Sequence, residues 1–555
     1  MFKPFLALFA LAQVIVANAG VFAPLEQRGF YIGAALAAWT GWHVAWHAER
    51  LMDFMADLTT LDMTLGVIAI AVIMDTTRRT TGLTLPVLAL VLMAYLFLGH
   101  DYVGGSMQPP RFSFLTGIET LYASTSGIFG YMTDVGARVI AVYVVFGALL
   151  MSMGAGNAFV TLAAMVAGKS RGGSAKVSVL SSALFGTVSG SAVANVMAVG
   201  AVTIPTMTRS GYPRAYAAGV EATASAGGQI LPPVMGAGAF LMAEFLNVPF
   251  SYVALVAIPP AVLYFTAIFI STDFYARRLA LRSEASGEIE SADLLSWGEV
   301  VSLTLPIVVL GWMLFGGYSP TYAGTAATVA LMGTAALVRI IRAIARPDGG
   351  VAASLLAEAR LYLRQTWDGL ASGGTGLVTV AVLLACSSIL VATLTSSGLA
   401  IKISDMLVGL SGDSLFTILL LAAITCILLG MDVPTTASYV LTISVVGPSL
   451  IRMGLEPISA HMFVFFFAIL SAITPPVCAS VYAAATIANE NFWKVAGQAL
   501  RVAGAVYFIP FMFVYRPGVL WMGSTADIVA DIAVTAVAVV TFSAASIGYL
   551  FGSLG

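Results

Sequence analysis

Two stretches of this sequence, residues 186–238 and 430–481, repeat one pattern of small, apolar and proline residues. A constant offset of 243 residues aligns them without gaps, matching Pro205 with Pro448, Arg209 with Arg452, Gly211 with Gly454, and Pro232-Pro233-Val234 with Pro475-Pro476-Val477. Each copy begins with small hydroxyl residues, turns at Arg-x-Gly between two apolar segments, and ends in a double proline. So many matches at one offset indicate duplication, and the fold must therefore accommodate the same unit twice.

The apolar segments are too numerous for a water-soluble domain. Of the 555 residues, 59% are hydrophobic and 9% are charged. Many runs approach the roughly 20 apolar residues that cross a bilayer as a helix, and the short alternating strands of a membrane barrel are not evident. The net charge of −2 excludes a basic footprint for nucleic acid. The sequence predicts an all-α polytopic membrane protein whose first span is 4–22, although Lys3 and residues 17–19 also fit a signal peptide.

Glycine and proline interrupt both copies where helices should stop, at 190–195, 227–233, 434–438 and 472–476. Hydrocarbon offers no hydrogen-bond partners, so irregular chain at this depth must line protein or a water-filled cavity. Freed carbonyls can ligate a hard cation such as sodium, and helix N-termini can face a carboxylate. Interrupted segments at matching positions of two halves are typical of the binding site of a secondary transporter.

The candidate ligands are the oxygen-bearing groups beside these interruptions. For substrate, the predicted residues are Ser191, Asn195, Gln229, Thr435, Thr436 and Ser438. For sodium, they are Ser189, Gly190, Gly228, Pro232, Asp432, Pro434, Thr474 and Pro475. Small residues also let membrane helices pack closely, which is the alternative interpretation at any single Ser or Gly. Repetition beside a proline favours the binding site.

Charged residues in apolar segments are functional candidates by default. Asp432 and Glu221 are candidates for a cation ligand or a proton carrier, and Glu244 is a weaker one. Arg209 and Arg452 precede glycine turns, so we expect lipid or water contact at the membrane surface rather than a bidentate clamp on a substrate carboxylate.

Other chemistry finds little support. Gly168-Lys-Ser lacks the earlier glycine of a nucleotide loop, and we interpret Lys169, Arg171 and Lys176 as a polar loop on one membrane face. His43 and His47 share a helix face without a third metal ligand. The three cysteines lie apart in apolar surroundings and are expected to be buried. No catalytic triad is evident, so neither an enzyme nor an organic cofactor is predicted.

The chain divides at a polar connector, predicted at 111–135. Residues 1–110 precede the connector, 136–500 form a larger unit, and 501–555 form the last membrane helices. Repeat 1 covers about 117–272, and repeat 2 covers about 370–490. By the positive-inside rule, Arg277 and Arg278 are cytoplasmic, and Arg339, two spans later, is cytoplasmic again.

Motifs in a consistent order link this sequence to a known family. They are RRTTG at 78–82, GIFG at 127–130, GKSRGGSAK at 168–176, SGSAVAN at 189–195, GGQILPPVMG at 227–236, VPTTA at 433–437 and AITPP at 472–476. The set resembles the fused permease of a TRAP (tripartite ATP-independent periplasmic) transporter, and most closely its TAXI branch.

The resemblance implies that 1–110 correspond to a small membrane subunit fused to a large elevator-type unit. It implies an ion-transporter-like fold with inverted repeats and two re-entrant hairpins, in a permease that is monomeric and lies in the bacterial inner membrane. It further implies a periplasmic TAXI-type binding protein that delivers an organic acid, and uptake driven by sodium. Proton coupling, a carrier without a binding protein, a passive channel, an intramembrane enzyme and a structural scaffold remain alternatives.

Overall fold

The fold is helical throughout the part of the chain that the computed structural model describes, namely residues 24–51, 58–281, 297–345, 350–412, 414–550 and 552. No β-strand occurs among these residues. Seven of their helices are long and apolar enough to cross a bilayer, and a bent pair would make an eighth. The prediction of an all-α polytopic membrane protein is thus confirmed. The predicted first span, 4–22, lies outside the described residues.

The α-helices are numbered here in chain order. They are α1 (Pro24–Trp46), α2 (Ala48–Leu51), α3 (Thr60–Thr81), α4 (Thr84–Tyr102), α5 (Phe114–Tyr122), α6 (Tyr131–Ser152, with a π-helical stretch at Gly136–Ile140), α7 (Ala155–Ala167), α8 (Gly173–Ser189), α9 (Ala192–Arg209), α10 (Arg214–Gly227), α11 (Ala237–Leu246), α12 (Phe250–Arg278), α13 (Trp297–Phe315), α14 (Pro320–Ala345), α15 (Val351–Ser396), α16 (Leu399–Ser411), α17 (Leu415–Gly430), α18 (Thr435–Arg452), α19 (Pro457–Leu470), α20 (Ala479–Ala488), α21 (Phe492–Val502), α22 (Ile509–Tyr515) and α23 (Thr525–Ile547).

The chain forms two compact units, each built from separate parts of the sequence. The first unit comprises Met1–Val145, Leu370–Thr425 and Thr436–Gly454. The second unit comprises Phe146–Gly369, Cys426–Thr435 and Leu455–Gly555. The boundaries proposed from sequence, at 110, 135 and 500, describe subunit-like segments rather than compact units and stay a prediction.

The helices repeat at the offset that aligns the prolines. Adding 243 to the bounds of α9 gives those of α18, and adding 243 to the bounds of α10 gives those of α19. The 3₁₀ turns that follow, Gly228–Ile230 and Ser471–Ile473, match at the same offset. Each copy therefore has the same order of helix, turn, helix and 3₁₀ turn before its double proline.

Glycine makes the turn inside each copy possible. Gly211 has φ +97° and Gly454 has φ +91°, a left-handed conformation that costs glycine nothing because it has no Cβ. The peptide between the two prolines is cis in both copies. A short helix then resumes, α11 in the first copy and α20 in the second, and each ends at an asparagine with positive φ, Asn247 and Asn489.

The core of the second unit is centred on α10 and α19. From Tyr216 to Gly227 every residue of α10 is buried, and so is every residue of α19 from Ile458 to Leu470. A helix buried on all sides belongs at the centre of a bundle. Around α10 pack α8, α9, α12, α20 and α21, so α10 contacts helices of both repeats.

Lys176 corrects one prediction from the sequence. It lies in α8 rather than in a polar loop, and it is 6% exposed. Its Nζ donates to Asp273 Oδ1 at 2.7 Å, and Arg277 Nε donates to Asp273 Oδ2 at 2.7 Å. A buried ammonium group needs such a partner because desolvation would otherwise be too costly. The helix begins earlier than predicted because Gly172, with φ +64°, starts it.

Candidate functional site

The first interruption lies between α8 and α9. The first of these helices ends at Ser189, Gly190 takes the left-handed conformation with φ +60°, and Ser191 caps the next helix by accepting from the Ala194 N–H at 3.4 Å. A Cβ on Gly190 would lie 3.0 Å from the Met235 carbonyl oxygen, next to the double proline. The turn between α8 and α9, here called the first hairpin tip, therefore contacts the loop of repeat 1 that contains the double proline.

Backbone hydrogen bonds hold the double-proline loop in place. Val234 N donates to the carbonyl of Thr187 at 3.2 Å, and Gly236 N donates to the carbonyl of Gln229 at 2.7 Å. Gln229 itself is 3% exposed. Pro232, half-buried, has no N–H to contribute, so the loop depends on these two bonds for its position.

Asn195 lies where α8 crosses the first 3₁₀ turn. It is fully buried, and its Nδ2 donates to the Ser182 carbonyl at 2.8 Å. A Cβ on Gly228 would lie 2.5 Å from Gly186 Cα and 3.3 Å from Asn195 Nδ2. Asn195 Oδ1 and the nearby Ser189 Oγ are buried without a hydrogen-bond partner among the described residues. Two unsatisfied oxygens thus lie at the first hairpin tip.

The second interruption has a related geometry with different residues. Asp432, exposed, takes the left-handed conformation with φ +56° between α17 and α18. Pro434 and Thr435, both half-buried, follow it at the start of α18. Ser471, which the offset matches to Gly228, has its Oγ 3.2 Å from the Gly430 carbonyl oxygen and 2.8 Å from the Ala468 carbonyl oxygen. The end of α17 therefore contacts the second 3₁₀ turn, as the end of α8 contacts the first.

Asn195 and Ser438 are equivalent at the offset of 243, each in the first turn of its helix. Ser438 is also fully buried, and its Oγ also has no partner within the residues that the structure describes. An unpaired buried polar oxygen costs about 1–3 kcal/mol. Such an oxygen occurs at matching positions of the two repeats.

The structure brings most of the predicted ligands into the second unit. There, α10 and α9 pack against α20, and α10 also packs against the 3₁₀ turn Ser471–Ile473. The helices that carry the first interruption thus contact the segments around the second double proline. Thr436 and Ser438 belong to the first unit, whereas the other predicted ligands belong to the second.

Thr474, just before the second double proline, has a partner that the sequence did not suggest. Its Oγ1 lies 2.6 Å from the hydroxyl of Tyr507. The offset matches Tyr507 to Tyr264, whose hydroxyl donates to the Thr223 carbonyl at 2.8 Å. This pair of tyrosines was missed because aromatic residues in apolar segments are common, although the same offset would have identified them.

Glu221 lies in a buried cluster of hydroxyl groups. It is fully buried on α10 and accepts from Ser178 Oγ at 2.5 Å, Ser182 Oγ at 2.7 Å, Thr203 Oγ1 at 2.7 Å and Ser225 Oγ at 2.9 Å. No ion pair to this carboxyl group occurs within the described part of the chain. Glu244, by contrast, is exposed.

Two other candidates have structural partners. Arg452, predicted to contact lipid or water at the membrane surface, is exposed; its guanidinium also pairs with Asp405, and its other terminal nitrogen donates to Ser404 Oγ at 2.6 Å. In the first unit, His43 Nε2 lies 2.6 Å from Asp62 Oδ1, which also accepts from Arg50. Both sets of contacts account for these polar side chains without a ligand.

The two interruptions offer neutral oxygen atoms rather than clustered metal-binding side chains. The described residues contain no group of three or more His, Cys, Asp or Glu side chains that could hold a metal ion. Hydroxyl and carbonyl oxygens are instead abundant at both interruptions, and such neutral oxygens are ligands for hard cations. The described cysteines Cys386, Cys426 and Cys478 are free and buried, as predicted.

A family of known proteins matches most of this chain. Residues 66–528 match the family described as the tripartite ATP-independent periplasmic transporter, DctM component.

Curated relatives agree with this match. The chain is 25% identical over 382 residues to a putative TRAP transporter large permease protein of Haemophilus influenzae, covering 68% of this chain and 84% of the relative. It is 23% identical over 382 residues to a C4-dicarboxylate TRAP transporter large permease protein of Vibrio cholerae, covering 68% and 83%. It is 22% identical over 382 residues to a 2,3-diketo-L-gulonate TRAP transporter large permease protein of Escherichia coli, covering 68% and 84%.

Proposed function

Because the chain belongs to the DctM family of tripartite ATP-independent periplasmic transporters, we propose that it imports an organic acid, driven by a sodium gradient. The family and the apolar helices make it a multi-pass protein of the inner membrane. Relatives named for a C4-dicarboxylate and for 2,3-diketo-L-gulonate support a carboxylate substrate. As a transporter permease, it has no enzymatic role.

The observation that carries this proposal is the pair of unsatisfied oxygens at matching positions. Asn195 Oδ1 and Ser438 Oγ are buried without partners in the described residues, each in the first turn after a hairpin tip. A bound ligand would remove the cost of leaving such oxygens unpaired. Sodium prefers oxygen ligands, so we propose that in the second unit it binds Asn195 Oδ1 with the carbonyls of Gly190 and Gly228 at the first interruption, and the carboxylate of Asp432 at the second.

The substrate carboxylate would meet donors at the same interruptions. The helices α9 and α18 each start at a tip, and their free N–H groups favour an anion. Ser191, Gln229, Thr435 and Thr436 would add side-chain hydrogen bonds. Sodium bound first would order the tips, so substrate would bind at a lower cost in conformational entropy, which is positive coupling between the two sites.

Transport then requires both repeats to expose the site on alternate sides. We propose that the repeats are inverted, that each contains a re-entrant hairpin, and that the site moves by an elevator mechanism. Large permeases of this family work with a periplasmic binding protein and a small subunit. We propose that the binding protein is of the TAXI type and that residues 1–110 take the place of the small subunit, which makes this chain a fused permease.

The Glu221 cluster favours a second candidate, proton-coupled uptake. Four hydroxyl groups surround this fully buried carboxyl group, and no ion pair neutralises it within the described residues. Burying an uncompensated charge is costly, so the group is suited to carrying a proton through the membrane. Glu221→Gln keeps the shape while removing the titration.

Uptake into proteoliposomes tests the proposal. A panel of labelled 2-oxoacids and dicarboxylates would be offered with and without the binding protein, under an inward sodium gradient or an inward proton gradient. We expect uptake that needs both the binding protein and sodium, and that persists in Glu221→Gln.

Three outcomes would contradict parts of this proposal. Uptake without the binding protein would overturn the tripartite mechanism. Uptake that follows the proton gradient, and that is lost in Glu221→Gln, would replace sodium with protons. Rapid bidirectional flux of substrate without any gradient would indicate a passive channel.

A further inference from the structure

The offset of 243 matches Tyr264 with Tyr507, but the two residues use their hydroxyl groups differently. The first is fully buried within α12, and its hydroxyl donates to the Thr223 carbonyl at 2.8 Å. Its ring packs against Gly227, where an added Cβ would collide with it. In repeat 1 the tyrosine therefore ties one helix to the backbone of another.

The hydroxyl of Tyr507, which follows repeat 2, meets a side chain instead. Tyr507 lies in the 3₁₀ turn Val506–Phe508, where the helix pair Phe492–Val502 and Val506–Tyr515 bends by 59°. Its hydroxyl oxygen lies 2.6 Å from Thr474 Oγ1. Position 231, which the offset matches to Thr474, is Leu231 and carries no hydroxyl group. The offset therefore gives this hydroxyl pair no counterpart at the first interruption.

Counting hydrogen atoms fixes the direction of this bond. Thr474 has one hydroxyl hydrogen, and Oγ1 donates it to the Leu470 carbonyl at 2.6 Å. That carbonyl lies at the end of α19, where the 3₁₀ turn Ser471–Ile473 begins. Tyr507 must then be the donor to Thr474. A hydroxyl oxygen has two lone pairs, so Thr474 Oγ1 keeps one after accepting from Tyr507.

The pair thus presents an oxygen acceptor and no spare hydrogen at the second interruption. Both side chains are half-buried, so neither is fully enclosed by the protein. The two hydroxyl hydrogens of this pair are already used in hydrogen bonds, so the remaining lone pair suits a cation and disfavours a carboxylate. We infer that Tyr507 is a positioning residue for the coupling cation, which it serves by fixing Thr474 Oγ1 with one lone pair free.

This inference rests on the proposed sodium coupling, and the sodium dependence of uptake tests it. The measurement is the sodium concentration that half-saturates uptake into proteoliposomes, at saturating substrate and binding protein. We expect Tyr507→Phe to raise it about fivefold, as for the loss of one hydrogen bond, with the substrate KM at saturating sodium unchanged. Tyr264→Phe is the matched control, which should leave the sodium dependence unchanged even if it lowers the melting temperature.

A double-mutant cycle separates positioning from general loss of stability. If Tyr507 acts only through Thr474, then Tyr507→Phe has no further effect in a Thr474→Val background. Additive effects in the double variant would overturn the inference, and so would an unchanged sodium dependence in Tyr507→Phe. If uptake by the unaltered protein does not depend on sodium, the proposed coupling ion is overturned, and this inference with it. The behaviour of the unaltered protein therefore distinguishes the two failures.

Discussion

At the scale of single residues, a substitution at Ser438 distinguishes a role in ligand binding from a role in folding. Its buried Oγ has no hydrogen-bond partner in the described residues. Leaving such an oxygen unpaired lowers the free energy of unfolding by about 1–3 kcal/mol. Ser438→Ala removes that cost. We expect the variant to have an unchanged or higher melting temperature in detergent, while sodium-driven uptake falls several-fold.

Ser449 on the same helix gives the matched control. It is also fully buried, but its Oγ donates to the Val446 carbonyl at 2.6 Å. Ser449→Ala should lower the melting temperature and leave uptake per folded molecule unchanged. If Ser438→Ala lowered the melting temperature as Ser449→Ala does and kept full uptake, Ser438 would be a packing residue.

At the scale of helices, the crossing of α8 over the first 3₁₀ turn depends on glycine. A Cβ on Gly228 would lie 2.5 Å from Gly186 Cα and 3.3 Å from the Ser182 carbonyl oxygen. Backbone atoms cannot move aside as a flexible side chain can, so Gly228→Ala should destabilise the protein by about 1–3 kcal/mol. It should also impair uptake, because the Asn195 amide lies at the same crossing.

Gly333 provides the comparison for this substitution. It is exposed on α14, and nothing lies within 4 Å of an added Cβ. Alanine is favoured over glycine in such a helix by about 1 kcal/mol. Gly333→Ala should therefore keep or raise the melting temperature. Equal stability of the two alanine variants would show that the close crossing at Gly228 is not required.

The repeated helices could be predicted from the sequence because glycine and proline act locally. Pro475 and Gly454 end or turn the chain wherever the rest of the fold lies, so the bounds of α18 and α19 follow the offset. The surroundings of Glu221 could not be predicted. Only Ser225, four residues later, is local, whereas the other hydroxyl groups come from α8 and α9.

Lys176 illustrates the same limit on prediction. Its partner Asp273 is 97 residues away, and without that partner a lysine beside a glycine-rich segment is expected in a loop. Tyr507 could be predicted from the sequence only in part. The offset gives its position, but its hydrogen bond to Thr474 depends on the bend between α21 and α22, whereas α12 is one continuous helix although it carries Pro259 and Pro260.

At the scale of the whole molecule, inverted repeats require equivalent turns to lie on opposite sides of the membrane. Arg277 and Arg278 at the end of α12 are expected inside by the positive-inside rule. If α10 with α11 crosses once and α12 crosses back, the turn at Ser210 is also inside. From there α13, α14 and α15 each cross the membrane once, so α15 ends outside. The hairpin of α17 and α18 enters the membrane and comes back to the same side, so the turn at Met453 is outside as well.

Cysteine labelling tests this arrangement at two positions that the offset makes equivalent. The three native cysteines are buried, so background labelling should be low. In cells with a permeabilised outer membrane, a membrane-impermeant maleimide should label Met453→Cys. If the duplicated unit is inserted in opposite directions, as we propose, the maleimide should label Ser210→Cys only after the inner membrane is also opened. Labelling of both variants from the periplasm would mean parallel repeats, and the elevator mechanism would then lose its structural basis.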